Sequence, residues 1–259
     1  MLGNYLYSYL EPKFNVITLG RKDIDAANTN TETIIKLLKE KKLEEGDVLV
    51  NAIGTIKPRV DELGDLNAIL VNSVFPHYLA SAAEKLKLRL IHITTDCVFS
   101  GDRGQYNEKD KHDVTDVYGR TKSLGEPHNC SVFRTSIIGE EKNTKRSLVE
   151  WIRSNANSQV NGFTNHLWNG LTCLQVAKCI EQMVNENLFW QGVRHVHSPT
   201  AVNKLQLVQM VSDIYGLNLK VNPKETDQKC DRSLATLFPT FDIPELKVQI
   251  AEMKQFRLK

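Results

Sequence analysis

Cysteine is scarce in this chain, and what there is does not form pairs. The five cysteines, Cys97, Cys130, Cys173, Cys179 and Cys230, are odd in number and show no C-x-x-C spacing. That argues against a disulfide framework and against a cysteine-built zinc site, and reduced thiols in the cytoplasm are the plain expectation. An excess of one charge is also missing. The 33 basic and 31 acidic residues leave a net charge of +2, too little to argue for a nucleic acid or an anionic membrane as partner. No apolar run is long enough to span a bilayer. Met1-Leu2-Gly3-Asn4 has neither the basic start nor the apolar core of a secretory leader. The histidines (His77, His92, His112, His128, His166, His195 and His197) show no metal-ligand spacing, so no metal is expected. Internal repeats and low-complexity stretches are absent. What is present, 41% hydrophobic and 25% charged in 259 residues, is ordinary globular material, enough for one α/β domain with a smaller lobe.

Periodicity then divides the chain into elements. Residues 3–10 read as a helix and 14–19 as a strand ending at Gly20-Arg21; 31–42 read as a helix and 47–52 as a short buried strand followed by Gly54. A long helix is expected over 66–86, a strand over 88–95 that turns polar at its end, a Gly- and Asp-rich loop over 100–116, a helix around Tyr118 and a strand over 130–134. Strand and helix alternate, which predicts a doubly wound parallel sheet. After Gly139 the pattern changes to helices at 147–154, 171–184 and 202–215, with a short strand at 193–197 and a tail broken by Pro223, Pro239 and Pro244. The expected division is therefore a Rossmann-type unit over 1–139 and a smaller, partly interleaved lobe over 140–259 that covers the strand ends.

Ligands of doubly wound sheets sit beyond the carboxyl ends of the strands. Polar residues gather at four such ends: Arg21, Asn51 to Gly54, Thr94 to Asp96, and Arg134 to Ser136. Beside them lies Tyr118-Gly119-Arg120-Thr121-Lys122. In a helix Tyr118 and Lys122 share a face, one turn apart. A phenol titrates near ~10 and a neighbouring cation lowers that value, so the pair suits proton donation to a carbonyl oxygen that gains negative charge.

These pieces, Thr94-Thr95-Asp96-Cys97-Val98-Phe99-Ser100-Gly101 followed by Val117-Tyr118-Gly119-Arg120-Thr121-Lys122-Ser123-Leu124-Gly125-Glu126, resemble the extended short-chain dehydrogenase/reductase superfamily, in its dTDP-4-dehydrorhamnose reductase branch. Asn51-Ala52-Ile53-Gly54, Val71-Asn72 and Phe133-Arg134-Thr135-Ser136 support the resemblance, which covers roughly residues 1–215. It implies NAD(P)H-dependent reduction of a 4-keto-6-deoxy sugar nucleotide. It makes Thr95 the hydroxyl on the substrate carbonyl and Tyr118 the proton donor. Lys122 becomes the group that holds the cofactor ribose and lowers the phenol's pKa. Asn51, Ala52 and Gly54 would line the cofactor, and Asn72 would support Lys122. Arg21 would face a 2′-phosphate, which favours NADP over NAD. Asp96, Val98, Phe99 and Arg134 would shape the substrate pocket, with Trp168 as an aromatic platform under the base. A homodimer is allowed by the resemblance but not specified by it.

The chain departs from that pattern at its start. A dinucleotide-binding unit opens with a strand and G-x-x-G-x-x-G, whose amides hold the pyrophosphate. Here Met1-Leu2-Gly3-Asn4 matches only the last part, Gly3 standing for the third glycine, and the first strand is missing. The expectation is that the sequence starts at an internal Met and that the native product is roughly ten residues longer. A shortened chain, or a protein that has given up its cofactor, are the alternatives. Cys97 stands where the family often has Tyr, and Ile137 where it often has an aromatic residue. Two other functions stay open: a non-catalytic regulatory subunit of the kind that modulates methionine adenosyltransferase, and a nucleotide-sugar epimerase or dehydratase.

Overall fold

The computed structural model describes residues 1–142 and 146–259. It opens on helix α1 (Leu2–Leu10), whose Leu2, Tyr5, Leu6 and Leu10 recur at helical spacing and are all buried. Helix α2 (Thr31–Glu40) is capped by Asn30, whose side chain accepts from Thr33 N at 2.9 Å. Strand β1 (Val48–Asn51) leads through α3 (Lys57–Leu63) and α4 (Asp65–Ala68) into a π-helical turn, Ile69–Val74, and then α5 (Phe75–Lys85). The single long helix expected over 66–86 is thus interrupted by a widened turn, which buries Val71, Asn72 and Ser73 together. Strand β2 (Arg89–Thr95), helix α6 (Val117–Leu124) and strand β3 (Ser131–Thr135) complete the first half.

The second half contains β4 (Ile137–Ile138), α7 (Leu148–Ser154), β5 (Gln159–Phe163), β6 (His166–Trp168) and β7 (Leu171–Thr172). These are followed by α8 (Cys173–Asn185), β8 (Gly192–His195), β9 (Val202–Asn203) and α9 (Lys204–Tyr215). A capping box between Asn203 and Gln206 starts α9, and left-handed Gly216, at φ 69°, stops it. Strands β10 (Lys220–Lys224) and β11 (Cys230–Asp231) and helix α10 (Leu246–Gln255) end the chain. Among the described residues, no helix is long and apolar enough to cross a membrane.

The main sheet has four strands in the order β1-β2-β3-β8, all parallel. Pleating sends alternate residues to opposite faces. Ile91, Ile93 and Phe133 pack with α1 and α8 on one side; Leu90 and Val132 pack with α2 and α5 on the other. With both faces covered, β2 and β3 read as unbroken buried runs. Strand β8 comes from the second half yet pairs with β3, so the two halves interleave within this sheet. The remaining strands form small sheets of the lobe: β5 with β10, β6 between β9 and β11, and β4 with β7.

One expected strand does not form. Residues 14–19 run without regular structure. Phe14 and Val16 rest on the first core and Leu19 on the second, so the apolar pattern is used. A ladder needs a neighbour to take its N–H and C=O groups, and among the described residues no strand pairs with 14–19 or with the outer edge of β1. Ile17 is accordingly 48% exposed.

Candidate active site

The site assembles where β2 ends and α6 begins. The Thr95 side chain caps the short turn Asp96–Val98: its Oγ1 accepts from Cys97 N at 3.2 Å and donates to Asp96 Oδ1 at 3.1 Å. Asp116 caps α6 by accepting from Gly119 N at 2.9 Å. Two glycines then let α6 lie close to its neighbours. A Cβ on Gly119 would stand 2.3 Å from Cys97 O, and one on Gly125 would stand 1.7 Å from Asn72 O. Tyr118 and Lys122 are consequently fixed one turn apart on the helix.

Lys122 is only 6% exposed, and its Nζ donates to Ile93 O at 3.3 Å. Burial lowers its pKa to about 8, opposed by Glu126. Burial likewise holds the Tyr118 phenol above its ordinary value, with Cys97 acting the same way and Thr95 pulling it down. The cation expected to lower the phenol is turned toward the backbone of β2, and the contact that lowers it is with Thr95. A raised phenol stays protonated at neutral pH, which suits a donor.

The wall opposite is a loop over 51–55, pinned at both ends. Asn51 Oδ1 accepts from Ile53 N at 3.0 Å, and its Nδ2 donates to His92 Nδ1 at 2.9 Å. Asn72 accepts from Thr55 N at 2.8 Å and donates to Thr55 O at 2.9 Å and to Thr121 Oγ1 at 3.3 Å. Asn72 therefore joins this loop to α6 directly. Ala52 and Gly54 are exposed along it, and a Cβ on Gly54 would reach to 3.7 Å from Lys122 Nζ. Small residues beside a buried ammonium leave room for a cofactor's ribose. Gly3, with open space around it, lies in the first turn of α1, and Arg21 is exposed on the turn that follows 14–19.

The five residues expected at the substrate besides Thr95 all lie inside the protein: Asp96, bonded to Thr95, and Val98, Phe99, Arg134 and Trp168. Arg134 is buried: its Nε and Nη2 donate to Glu126 at 3.0 and 2.6 Å, Nη1 to His195 Nε2 at 2.8 Å, and Nη2 also to His112 Nε2 at 2.7 Å. All three of its nitrogens donate to internal partners. Val98 and Phe99 are completely buried with Tyr106 and Leu234, the rings of Phe99 and Tyr106 stacked at 4.2 Å. Trp168 is buried in the first core, where the absent Cβ of Gly170 makes room for its ring, so it is no open platform. Side-chain fate here depends on partners far along the chain, which local pattern does not reveal.

Sequence reasoning also missed two residues. Lys204, the first residue of α9, holds its ammonium 5.2 Å from the Trp168 ring centroid. Arg232 donates its Nε to Phe99 O at 3.0 Å and its Nη1 to Cys97 Sγ at 3.8 Å. Both act electrostatically on buried Asp96. Neither carries a motif; only the fold brings them to the end of β2. Among the described residues, no group of three or more His, Cys, Asp or Glu is arranged to hold a metal.

A parallel α/β sheet with the hydroxyl of Thr95 at the end of its second strand, and the phenol and ammonium of Tyr118 and Lys122 on the helix beside it, defines a Rossmann-type fold. The chain belongs to the RmlD substrate-binding domain family, which matches residues 1–235. It is 35% identical over 104 residues to the dTDP-4-dehydrorhamnose reductase of Mycobacterium tuberculosis, a match covering 38% of this chain and 34% of that protein. The chain thus spans about a third of that relative. It is 26% identical over 222 residues to a probable low-salt glycan biosynthesis reductase of Haloferax volcanii, covering 81% of this chain and 71% of the relative. A dTDP-4-dehydrorhamnose reductase of Bacillus anthracis, solved in complex with NADP, superposes with a TM-score of 0.82 at 16% identity, over 98% of this chain and 95% of that one. That likeness establishes the fold.

Proposed function

We propose that this chain catalyses the NADPH-dependent reduction of a 4-keto-6-deoxy sugar nucleotide to the corresponding alcohol. The observation that carries the proposal is the intact Thr95, Tyr118 and Lys122 set at the carboxyl end of β2 in a member of this family. Bound NADPH would supply the hydride. The protein's own task is to orient the carbonyl and protonate its oxygen. Thr95 donates a hydrogen bond to that oxygen as negative charge develops. Tyr118, desolvated and therefore protonated, transfers its proton there, and Thr95, the contact that lowers the phenol, stabilises the phenolate left behind. Asp96 Oδ1 accepts the single Thr95 proton at 3.1 Å in this structure, and the substrate oxygen would take its place as acceptor.

On the cofactor side, Lys122 and the exposed backbone at Asn51, Ala52 and Gly54 would hold the nicotinamide ribose. Asn72 would fix that loop, Gly3 would let the pyrophosphate approach α1, and Arg21 would meet the 2′-phosphate. Residues 1–139 would chiefly carry the cofactor and 140–259 the sugar nucleotide, with β8 shared between them. All five cysteines are free, which suits a reducing cytoplasmic setting. Assembly as a homodimer completes the proposal. The test is NADPH oxidation with dTDP-4-dehydrorhamnose and with dTDP-4-keto-6-deoxyglucose. Turnover of either supports the reading, and cofactor binding without turnover of any 4-keto sugar nucleotide would point to a non-catalytic role.

A further inference from the structure

Two hydrogen bonds through one side chain join the loop after β1 to the strand that carries Thr95. Asn51 is the last residue of β1, only 2% exposed, and stands opposite His92 in the β1–β2 register. Its Oδ1 accepts from Ile53 N at 3.0 Å. A backbone N–H can only donate, so this bond fixes which way the amide points. The Nδ2 group therefore faces His92 Nδ1, at 2.9 Å, and that ring nitrogen is the acceptor.

The ring's own proton then sits on Nε2, which has no hydrogen-bond partner among the described residues. His92 is fully buried, on the same face of β2 as Leu90, which packs with α2 and α5. An apolar side chain would suit such a place better, because a buried N–H left unpaired is costly. Burial and the nearby Lys122 ammonium hold the ring neutral, which keeps Nδ1 free to accept. What the imidazole supplies in return is the acceptor for Asn51. Without it the Nδ2 group would be buried unpaired, and nothing would hold the amide oxygen toward Ile53 N.

The consequence lies in the loop. Beyond Ile53, Asn72 holds Thr55 N at 2.8 Å, so His92 and Asn72 secure opposite ends of one short wall. Between them Gly54 is exposed, and a Cβ there would stand 3.7 Å from Lys122 Nζ. Lys122 in turn donates to the carbonyl of Ile93, the residue after His92. Residues 92–95 thus set the ammonium, the hydroxyl of Thr95 and, through Asn51, the wall beside them.

We propose that His92 is a positioning residue for the cofactor, acting through Asn51 to hold the backbone of 52–54 where the nicotinamide ribose binds. The identity of the ligand rests on the reductase reading, but the link from His92 to Ile53 does not.

NADPH binding by the full chain, followed by nucleotide fluorescence, tests this with two variants. His92→Leu is close in size and removes the acceptor; His92→Asn places a carboxamide oxygen near the position of Nδ1. His92→Leu should weaken NADPH about tenfold, as loss of a buried hydrogen bond does, and His92→Asn should recover most of that affinity. At saturating NADPH, kcat should change less than about twofold, since the bond serves binding rather than the transition state. Hydrogen exchange at Ile53 N should quicken about tenfold in His92→Leu, with wild-type rates along β2. Faster exchange along β2 as well would mean general loosening of the core and would overturn the assignment. If His92→Leu fails to fold, Asn51→Ala removes the same link from the other end and should weaken NADPH as much. Equal NADPH affinity in wild type and variants would overturn the proposal and leave the reductase reading intact. NADPH bound by none, wild type included, with Ile53 exchange still faster in His92→Leu, would sink the reductase reading and leave the positioning role standing. Unchanged Ile53 exchange overturns that role in either case.

Discussion

The two flanks of β2 are held very differently. On the β3 side five residue pairs run from Ile91–Ser131 to Thr95–Thr135, and one of the paired residues, the buried Arg134, ties Glu126, His112 and His195 into one cluster. On the β1 side four pairs run from Val48–Arg89 to Asn51–His92. Among the described residues no other strand pairs with β1, and the extended stretch 14–19 packs without a ladder. The groups that would move a proton sit on the first flank, where each backbone is fixed by several independent contacts. The groups that would face the adenosine half of a cofactor sit on the second. The β3 flank is over-determined and the β1 flank lightly held, so damage should be graded across the strand.

The largest effect is expected on the firm flank. Arg134→Met leaves Glu126 buried without its partner and should cost about 3–5 kcal/mol, read as a fall in the urea midpoint. A loss below 1 kcal/mol, roughly the worth of a surface pair, would mean the cluster is not the anchor described. Lys122→Met sharpens the comparison by separating stability from function. The folded pKa of Lys122 is about 8, below its unfolded value, so the unfolded chain binds the extra proton between these values. The cost of the buried charge is therefore fully present below pH 8 and is relieved as pH rises toward the unfolded pKa. The variant should be more stable than wild type near neutrality, by up to about 3 kcal/mol, and should lose activity. The two stability curves should converge in alkali; parallel curves would contradict the assignment.

Acid should act next most strongly. His195 accepts from Arg134 Nη1 and is held neutral down to about 4. Its folded pKa lies below the unfolded one, so stability falls as pH drops from the unfolded value toward 4. His195→Gln should flatten that decline in an acid titration followed by fluorescence. The smallest effect belongs to the open flank: Ile17→Thr, at an exposed position without a ladder, should change stability by no more than about 0.5 kcal/mol. A loss several times larger would show that 14–19 is held more firmly than its contacts indicate.

Much of this was legible in the residues. The alternation of strand and helix gave the parallel sheet, and Thr95, Tyr118 and Lys122 sit together where their motifs put them. Asn72, expected to support Lys122, bonds to Thr55 and Thr121 rather than to the lysine. The misreadings have one physical origin, the dependence of a side chain or strand on distant partners. Residues 14–19 have a strand's pattern but no neighbour to pair with. Arg134, Val98, Phe99 and Trp168 have binding-site chemistry but are enclosed by Glu126, Tyr106, Leu234 and Gly170. Lys204 and Arg232 carry no local signal, because the end of β2 lies more than a hundred residues away from them in sequence.

Tyr118 as proton donor in a carbonyl reduction is tested by comparing wild type with Tyr118→Phe in NADPH oxidation, using a 4-keto-6-deoxy sugar nucleotide at saturating concentration. The phenylalanine variant keeps the ring and loses only the hydroxyl. Turnover should fall about 10²–10⁴-fold, the usual contribution of a positioned acid, with KM changed little. Turnover within a few-fold of wild type would contradict the account.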